Sequence, residues 1–214
     1  MPTVKQSSEL LARLQDGAKF LGISLSDHES VQLLRFIDLL LKWNQAYNLT
    51  ALRDPMEMLD GHLLDSMSVL PFLQGRRILD MGTGAGLPGI PLAMLRPVCD
   101  FVLLDSNSKK IRFVRQVKLE LALDNIRPLH TRVEQYHPEK PFDTLIARAF
   151  TSLPRMLELT RGLRSPVGCL LAMKGSLPRE ELDQLPKGLQ VRCIRLHLPF
   201  SEAERHLIEL RQGG

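Results

Sequence analysis

The chain has 214 residues, 28 Lys+Arg against 24 Asp+Glu for a formal net charge of +4, and 44% hydrophobic residues. That length suits one full domain with an appendage and supplies enough chain for a substantial core. No apolar run reaches membrane-spanning length and no basic–apolar–small signal segment opens the chain, so a soluble, cytoplasmic protein that engages no membrane is expected.

The first 75 residues read as helices. One helix fits roughly Ser8–Leu21. A second opens with the capping box Ser26-Asp27-His28-Glu29 and is expected to bury Val31, Leu34, Ile37, Leu40 and Leu41. A third starts at Asp54-Pro55-Met56-Glu57, where an acid caps, proline takes the first helical position and a Glu follows. From Arg76 the pattern changes to alternating strands and helices. Strands fit Arg77–Met81, Asp100–Asp105, Ile126–Thr131, Phe142–Ala147 and Gly168–Lys174, the pattern of a doubly wound parallel sheet. Leu189–Leu198 and Leu207–Arg211 are also strand-like, with only a short polar break at Ser201–Glu204, so an antiparallel pair closes the sheet. The division expected is a helical N-terminal extension over residues 1–75 and a sheet domain over residues 76–214.

Charge follows the same division. Residues 1–75 hold six Lys+Arg against nine Asp+Glu, and residues 76–214 hold twenty-two against fifteen. A basic sheet domain favours a polyanionic partner, although an ordinary solvated surface has the same signature. The cysteines, Cys99, Cys169 and Cys193, are odd in number and scattered, and neither they nor the histidines show disulfide or metal spacing. Cys169 and Cys193 lie in apolar runs and read as core filler.

The most informative stretch is Asp80-Met81-Gly82-Thr83-Gly84-Ala85-Gly86 behind the apolar run Arg77-Ile78-Leu79. A strand that ends on an acid and opens into spaced glycines is how an α/β domain meets a nucleotide-like cofactor, because glycine takes positive φ and lets a ligand approach the backbone. Two patterns overlap here. Gly84-Ala85-Gly86-Leu87-Pro88-Gly89 satisfies the dinucleotide fingerprint G-x-G-x-x-G. Counted from Gly82, which closes the strand, the third glycine is out of register and Leu87 stands in its place. Pro88, suited to the first helical turn, also removes a donor that a pyrophosphate would need. Counted from Asp80, D-x-G-x-G-x-G runs without a gap and is similar to motif I of the S-adenosylmethionine-dependent methyltransferases. Asp105 ends the second strand, where an acid accepts hydrogen bonds from ribose hydroxyls; bracing the next helix is the alternative. Lys109, Lys110, Arg112, Arg115 and Lys118 follow on one helix.

Together with Trp43-Asn44-x-x-Tyr47-Asn48-Leu49-Thr50, His62-Leu63-Leu64-Asp65-Ser66, Leu104-Asp105-Ser106, Lys110-Ile111-Arg112-Phe113 and Ala147-Arg148-Ala149-Phe150, these residues resemble the RsmG (GidB) family over nearly the whole chain. Members of that family are bacterial methyltransferases that modify N7 of one guanine in 16S ribosomal RNA. The resemblance implies a Rossmann-like class I methyltransferase sheet, S-adenosylmethionine as cofactor and 16S ribosomal RNA or the small subunit as partner; a monomer is expected, on no motif of its own. It places Gly82, Gly84, Leu87 and Asp105 at the cofactor, Val133 and Glu134 beside the adenine, and Arg148 projecting into the site. No catalytic general base, catalytic cysteine or metal ligand is expected, since the N7 lone pair is already nucleophilic. Trp43 reads as core; Asn44, Asn48 and His62 either line a substrate mouth or cap buried backbone. A small-molecule methyltransferase and an NAD-binding oxidoreductase are the rival classes.

Overall fold

The computed structural model describes residues 4–213; residues 1–3 and 214, which the two expected spans include, lie outside it. Helices α1 (Val4–Phe20) and α2 (Asp27–Tyr47) open the chain, followed by α3 (Pro55–Met58), a π-helical turn Leu59–Leu64 and α4 (Asp65–Met67). The sheet strands are β1 (Arg77–Met81), β2 (Asp100–Asp105), β3 (Ile126–His130), β4 (Phe142–Arg148), β5 (Arg164–Lys174), β6 (Leu189–Arg195) and β7 (His206–Gln212). Between them lie α5 (Gly89–Leu95), α6 (Ser108–Glu120), α7 (Leu153–Thr160) and α8 (Arg179–Asp183).

The sheet order is β3-β2-β1-β4-β5-β7-β6. The first five strands pair in parallel, whereas β5–β7 and β7–β6 pair antiparallel, as the strand-like tail implies. The strand boundaries differ from the expected ones mainly at β5, which starts at Arg164 and pairs Arg164 with Phe142 across a register shift.

Side chains alternate across a strand, so parity assigns each residue to one face. Ile78, Phe101, Leu103, Ile146, Leu171 and Leu207 join the core that α1, α2, α5 and α6 build on one side. Leu79, Val102, Leu104, Leu145, Leu170 and Ile208 face the core under α7 on the other. Asp80, Asp105 and Arg148 share parity with the first set, and therefore emerge toward the N-terminal helices; Arg205 lies one residue before β7.

Two expectations need correction. The α2 residues buried are Ser30, Leu33, Phe36, Ile37, Leu40 and Asn44, while Val31 is exposed and Leu34 and Leu41 are half-buried. Adjacent apolar pairs such as Leu33-Leu34 and Leu40-Leu41 fit more than one stripe, and packing of Phe36 against Phe113 of α6 selects this one. Cys193 is exposed on the edge strand β6 rather than core filler; Cys169 is buried. Pro88 stands at the N-cap of α5, at the helix start where it was expected.

α5 packs closely on β1 and β2 at Gly89. A Cβ built on Gly89 lies 2.2 Å from Leu103 Cδ2 and 2.6 Å from Asp80 Oδ2. Gly89→Ala is therefore expected to cost about 1–3 kcal/mol through overpacking. Gly162, where a built Cβ meets nothing within 4 Å, is the control, and Gly162→Ala should stay within about 0.5 kcal/mol. Denaturant melts of the two variants check this.

Candidate functional site

The turn after β1 is held by two carboxylates. Asp80, wholly buried, accepts from Thr83 Oγ1 at 2.6 Å and from the Gly89 amide at 2.9 Å, both through Oδ2. Its Oδ1 is buried with no partner among the described residues. Burial pushes the Asp80 carboxyl up to about 6 against those two hydrogen bonds. Asp105 accepts from the Gly84 amide at 2.9 Å through Oδ2 and from the Asn107 amide at 2.8 Å through Oδ1. It thus braces both the turn and the start of α6, yet each oxygen retains a second lone pair for a ligand.

Gly82, Gly84 and Gly86 take φ of 67°, 59° and 81°. Gly84 has open space on its Cβ side, where only Gly82 O and Lys110 Nζ come as close as 3.9 Å. On Gly82 a Cβ would stand 2.7 Å from the Phe150 ring, so the ring lies against the turn. Leu87 offers only its backbone, since its side chain is packed in the core and its amide donates to Thr83 O. Past β3, the Val133 side chain is buried under the sheet, and Glu134 is exposed and 3.5 Å from Arg155. A phosphate-bearing cofactor would meet two acids here. A cofactor with a ribose and a cationic head fits this acid-backed, open glycine turn.

Beside the turn a cleft of about 730 Å³ opens between the π-helical turn and the ends of β4 and β5. Arg148, 24% exposed, stands on its wall, 3.1 Å from Asp65 Oδ2 and 3.3 Å from Gly61 O. Arg205, from the segment before β7, donates to Asp65 Oδ1 at 3.1 Å. Asp65 is 2% exposed, so it is a buried anion shared between two cations from distant parts of the chain.

His62 adjoins this triad. Its Nδ1 lies 3.0 Å from Gly61 O and its Nε2 2.7 Å from Thr50 Oγ1, which fits Nδ1–H donating and Nε2 accepting. Burial and the neighbouring Arg148 lower its pKa to about 4. Asn44 is buried and ties Leu52 O and the Thr50 amide, while Asn48 ends α2 in the left-handed region; both shape backbone, and only His62 lines the cleft. Trp43 stacks on Tyr47 and packs on Phe113.

The structure thus places Gly82, Gly84, Leu87, Asp105, Val133, Glu134 and Arg148 at the carboxyl ends of β1 to β4. Among them it joins Gly84 to Asp105 directly. Sequence reading did not single out Arg205, whose partner lies 140 residues away.

The chain matches the family model described as GidB, rRNA small subunit methyltransferase G, over residues 29–208. It is 51% identical over 203 residues to the Ribosomal RNA small subunit methyltransferase G of Escherichia fergusonii, covering 94% of this chain and 98% of that one. Among solved structures it resembles a putative O-methyltransferase from Klebsiella pneumoniae, with TM-score 0.63, 14% identity and coverage of 98% and 100% of the two chains. A SAM-dependent methyltransferase from Aquifex aeolicus gives TM-score 0.58 at 19% identity, with coverage of 76% and 96%.

A histidine held neutral in the fold binds fewer protons than its unfolded counterpart between pH about 4 and 6.5. The stability His62 contributes is therefore complete above pH 6.5 and lost as pH falls toward 4. Asp80, raised from 3.8 to about 6, has the opposite slope across that window. His62→Gln should remove the first slope and leave the second. The stability difference between wild type and variant should grow by about 3 kcal/mol from pH 4 to 6.5 and stay flat above. Denaturant titrations across pH measure it.

Proposed function

The chain belongs to the GidB family of rRNA small subunit methyltransferases, and we propose that it transfers a methyl group from S-adenosylmethionine to N7 of one guanine in 16S ribosomal RNA. The observation that carries this reading is the family match over almost the whole chain. The acid-backed glycine turn beside a cation-bearing cleft supports it chemically. In this reading residues 76–214 form the methyltransferase domain and residues 1–75 the helical extension that completes its substrate cleft. The protein works in the cytoplasm as a monomer; among the described residues no helix is long and apolar enough to cross a membrane.

Bound in the turn, S-adenosylmethionine supplies an activated sulfonium methyl. Asp105 has lone pairs for its ribose hydroxyls, Gly82 and Gly84 give it backbone without side chains, and Val133 and Glu134 flank its adenine. Leu87 contributes its carbonyl at the foot of the turn. Arg148 stands between the turn and the cleft and orients either the guanine or the cofactor carboxylate.

RNA meets a prepared surface on α6. Lys109, Arg112 and Arg115 are exposed at i, i+3 spacing and have no ion pair among the described residues. Like charges so spaced repel one another on a bare helix and are relieved by phosphates. Lys110 carries the same charge to the edge of the glycine turn.

The N7 lone pair lies in the ring plane and needs no deprotonation before attack. What the residues supply is alignment, worth roughly 7–11 kcal/mol for a well-oriented pair. His62 fits this account: its Nε2 is engaged by Thr50 and its low pKa leaves it no proton to exchange near neutrality.

Purified protein with labelled cofactor and small-subunit ribosomal RNA should yield 7-methylguanosine on nucleoside analysis, with single-turnover rates nearly flat from pH 6 to 8. A methylated exocyclic amine, or a steep one-proton fall of that rate, would contradict the reading, since general-base contributions run to about 10²–10⁴-fold.

A further inference from the structure

Methylation at N7 constrains how the guanine is read. N7 must present a free lone pair to the methyl group, and O6 lies on the same edge of the base. An arginine paired bidentately with O6 and N7, the commonest specific contact to guanine, would cover the reacting atom. Discrimination therefore passes to the Watson–Crick edge, which a splayed-out RNA base leaves free. That edge carries N1–H and the exocyclic N2 amino group, two adjacent donors, and their best complement is one carboxylate with both oxygens unengaged.

The cleft has three carboxylates in its lining: Glu57, Asp60 and Asp65. Asp65 is taken by Arg148 and Arg205. Asp60 receives Arg13 bidentately, Nε on Oδ1 at 2.8 Å and Nη2 on Oδ2 at 2.7 Å. Glu57 has no side-chain hydrogen bond or ion pair among the described residues and stands exposed on the cleft wall.

The local alternative for Glu57 is a capping box. Three residues after the N-cap Asp54, it sits where Glu29 sits after Ser26. Glu29 uses that position to accept from the Ser26 amide at 2.8 Å. Glu57 does not close the corresponding bond; Asp54 alone caps α3, accepting from the Met56 and Glu57 amides at 2.8 and 3.0 Å. The backbone of Glu57 is thus fixed by the cap while its carboxylate is left to the cleft.

We propose that Glu57 is the specificity-determining residue that reads the N1–H and N2 amino donors of the target guanine. The assignment rests on the N7 reading above. Glu57→Gln keeps the shape of the side chain but turns an amide donor toward a base donor. Inosine in place of the target guanine removes the N2 amino group and leaves N7 and O6 in place.

The test crosses the two changes and measures kcat/KM for methyl transfer in all four combinations. Wild type should lose about 10- to 100-fold on inosine RNA, the range for a hydrogen bond to a charged group. E57Q should lose a similar factor on guanine RNA, and E57Q on inosine RNA should fall no more than about 3-fold further, because one contact is removed twice. Unchanged binding of S-adenosylhomocysteine by E57Q shows that the fold is intact. Independent, multiplying losses, or an E57Q enzyme equal to wild type on guanine RNA, would overturn the assignment while leaving the N7 reading in place. If wild type forms no 7-methylguanosine on guanine RNA, the reading beneath the assignment fails with it.

Discussion

The buried carboxylate of Asp65 is the point on which the site depends. It stands in the N-terminal helical region, yet its two oxygens hold an arginine from the end of β4 and another from the segment before β7, 83 and 140 residues away in the chain. Two charges withdrawn from water cost several kcal/mol each unless they are well paired, so such a cluster forms only when all three segments are in place. Parity along β4 brings Arg148 to the face where the helices lie, and the segment leading into β7 brings Arg205 to the same carboxylate. The cleft is therefore a product of the assembled fold, and no single segment contains it.

The cofactor side obeys a second electrostatic rule. Two acids lie behind the glycine turn, one of them wholly buried with an oxygen that has no partner among the described residues. An anion-binding turn aims backbone amides at a phosphate, whereas here the Gly84 and Gly89 amides already serve Asp105 and Asp80. What remains at the turn is negative and shaped by glycine, suited to a ribose and a cation. The cleft beyond it balances Arg148, Lys174 and Arg205 against Glu57, Asp60 and Asp65, whereas Lys109, Arg112 and Arg115 on α6 have no ion pair among the described residues.

Much of this was legible in the sequence, for identifiable reasons. β1 and β2 have the boundaries read from their apolar runs because each carries an acid in its last two residues and is followed by a turn or a helix cap. The antiparallel closing pair followed from two strand-like runs separated by too few residues for a helix. The buried face of α2 was legible at Ile37 and Leu40 but not beyond them, because adjacent apolar residues such as Leu33-Leu34 and Leu40-Leu41 leave the choice of stripe to the neighbours. Nor was Arg205, since nothing local marks a residue whose partner is 140 positions away. Glu57 was visible only as part of a helix start; its freedom from the capping role is a fact of three dimensions. Of the two roles the sequence left open for Asp105, the bracing of α6 is seen directly, together with a hydrogen bond from the Gly84 amide that no local pattern announced.

The claim that the residues around the cleft position RNA rather than transfer protons is tested most directly at Asp65. With folding verified by thermal melting, Asp65→Asn should weaken RNA affinity about 10-fold or more, because Arg148 and Arg205 lose their common anchor. At saturating RNA and cofactor its single-turnover rate should remain within about 3-fold of wild type. A rate reduced by about 10²–10⁴-fold at unchanged affinity, the signature of a lost proton acceptor, would contradict the account.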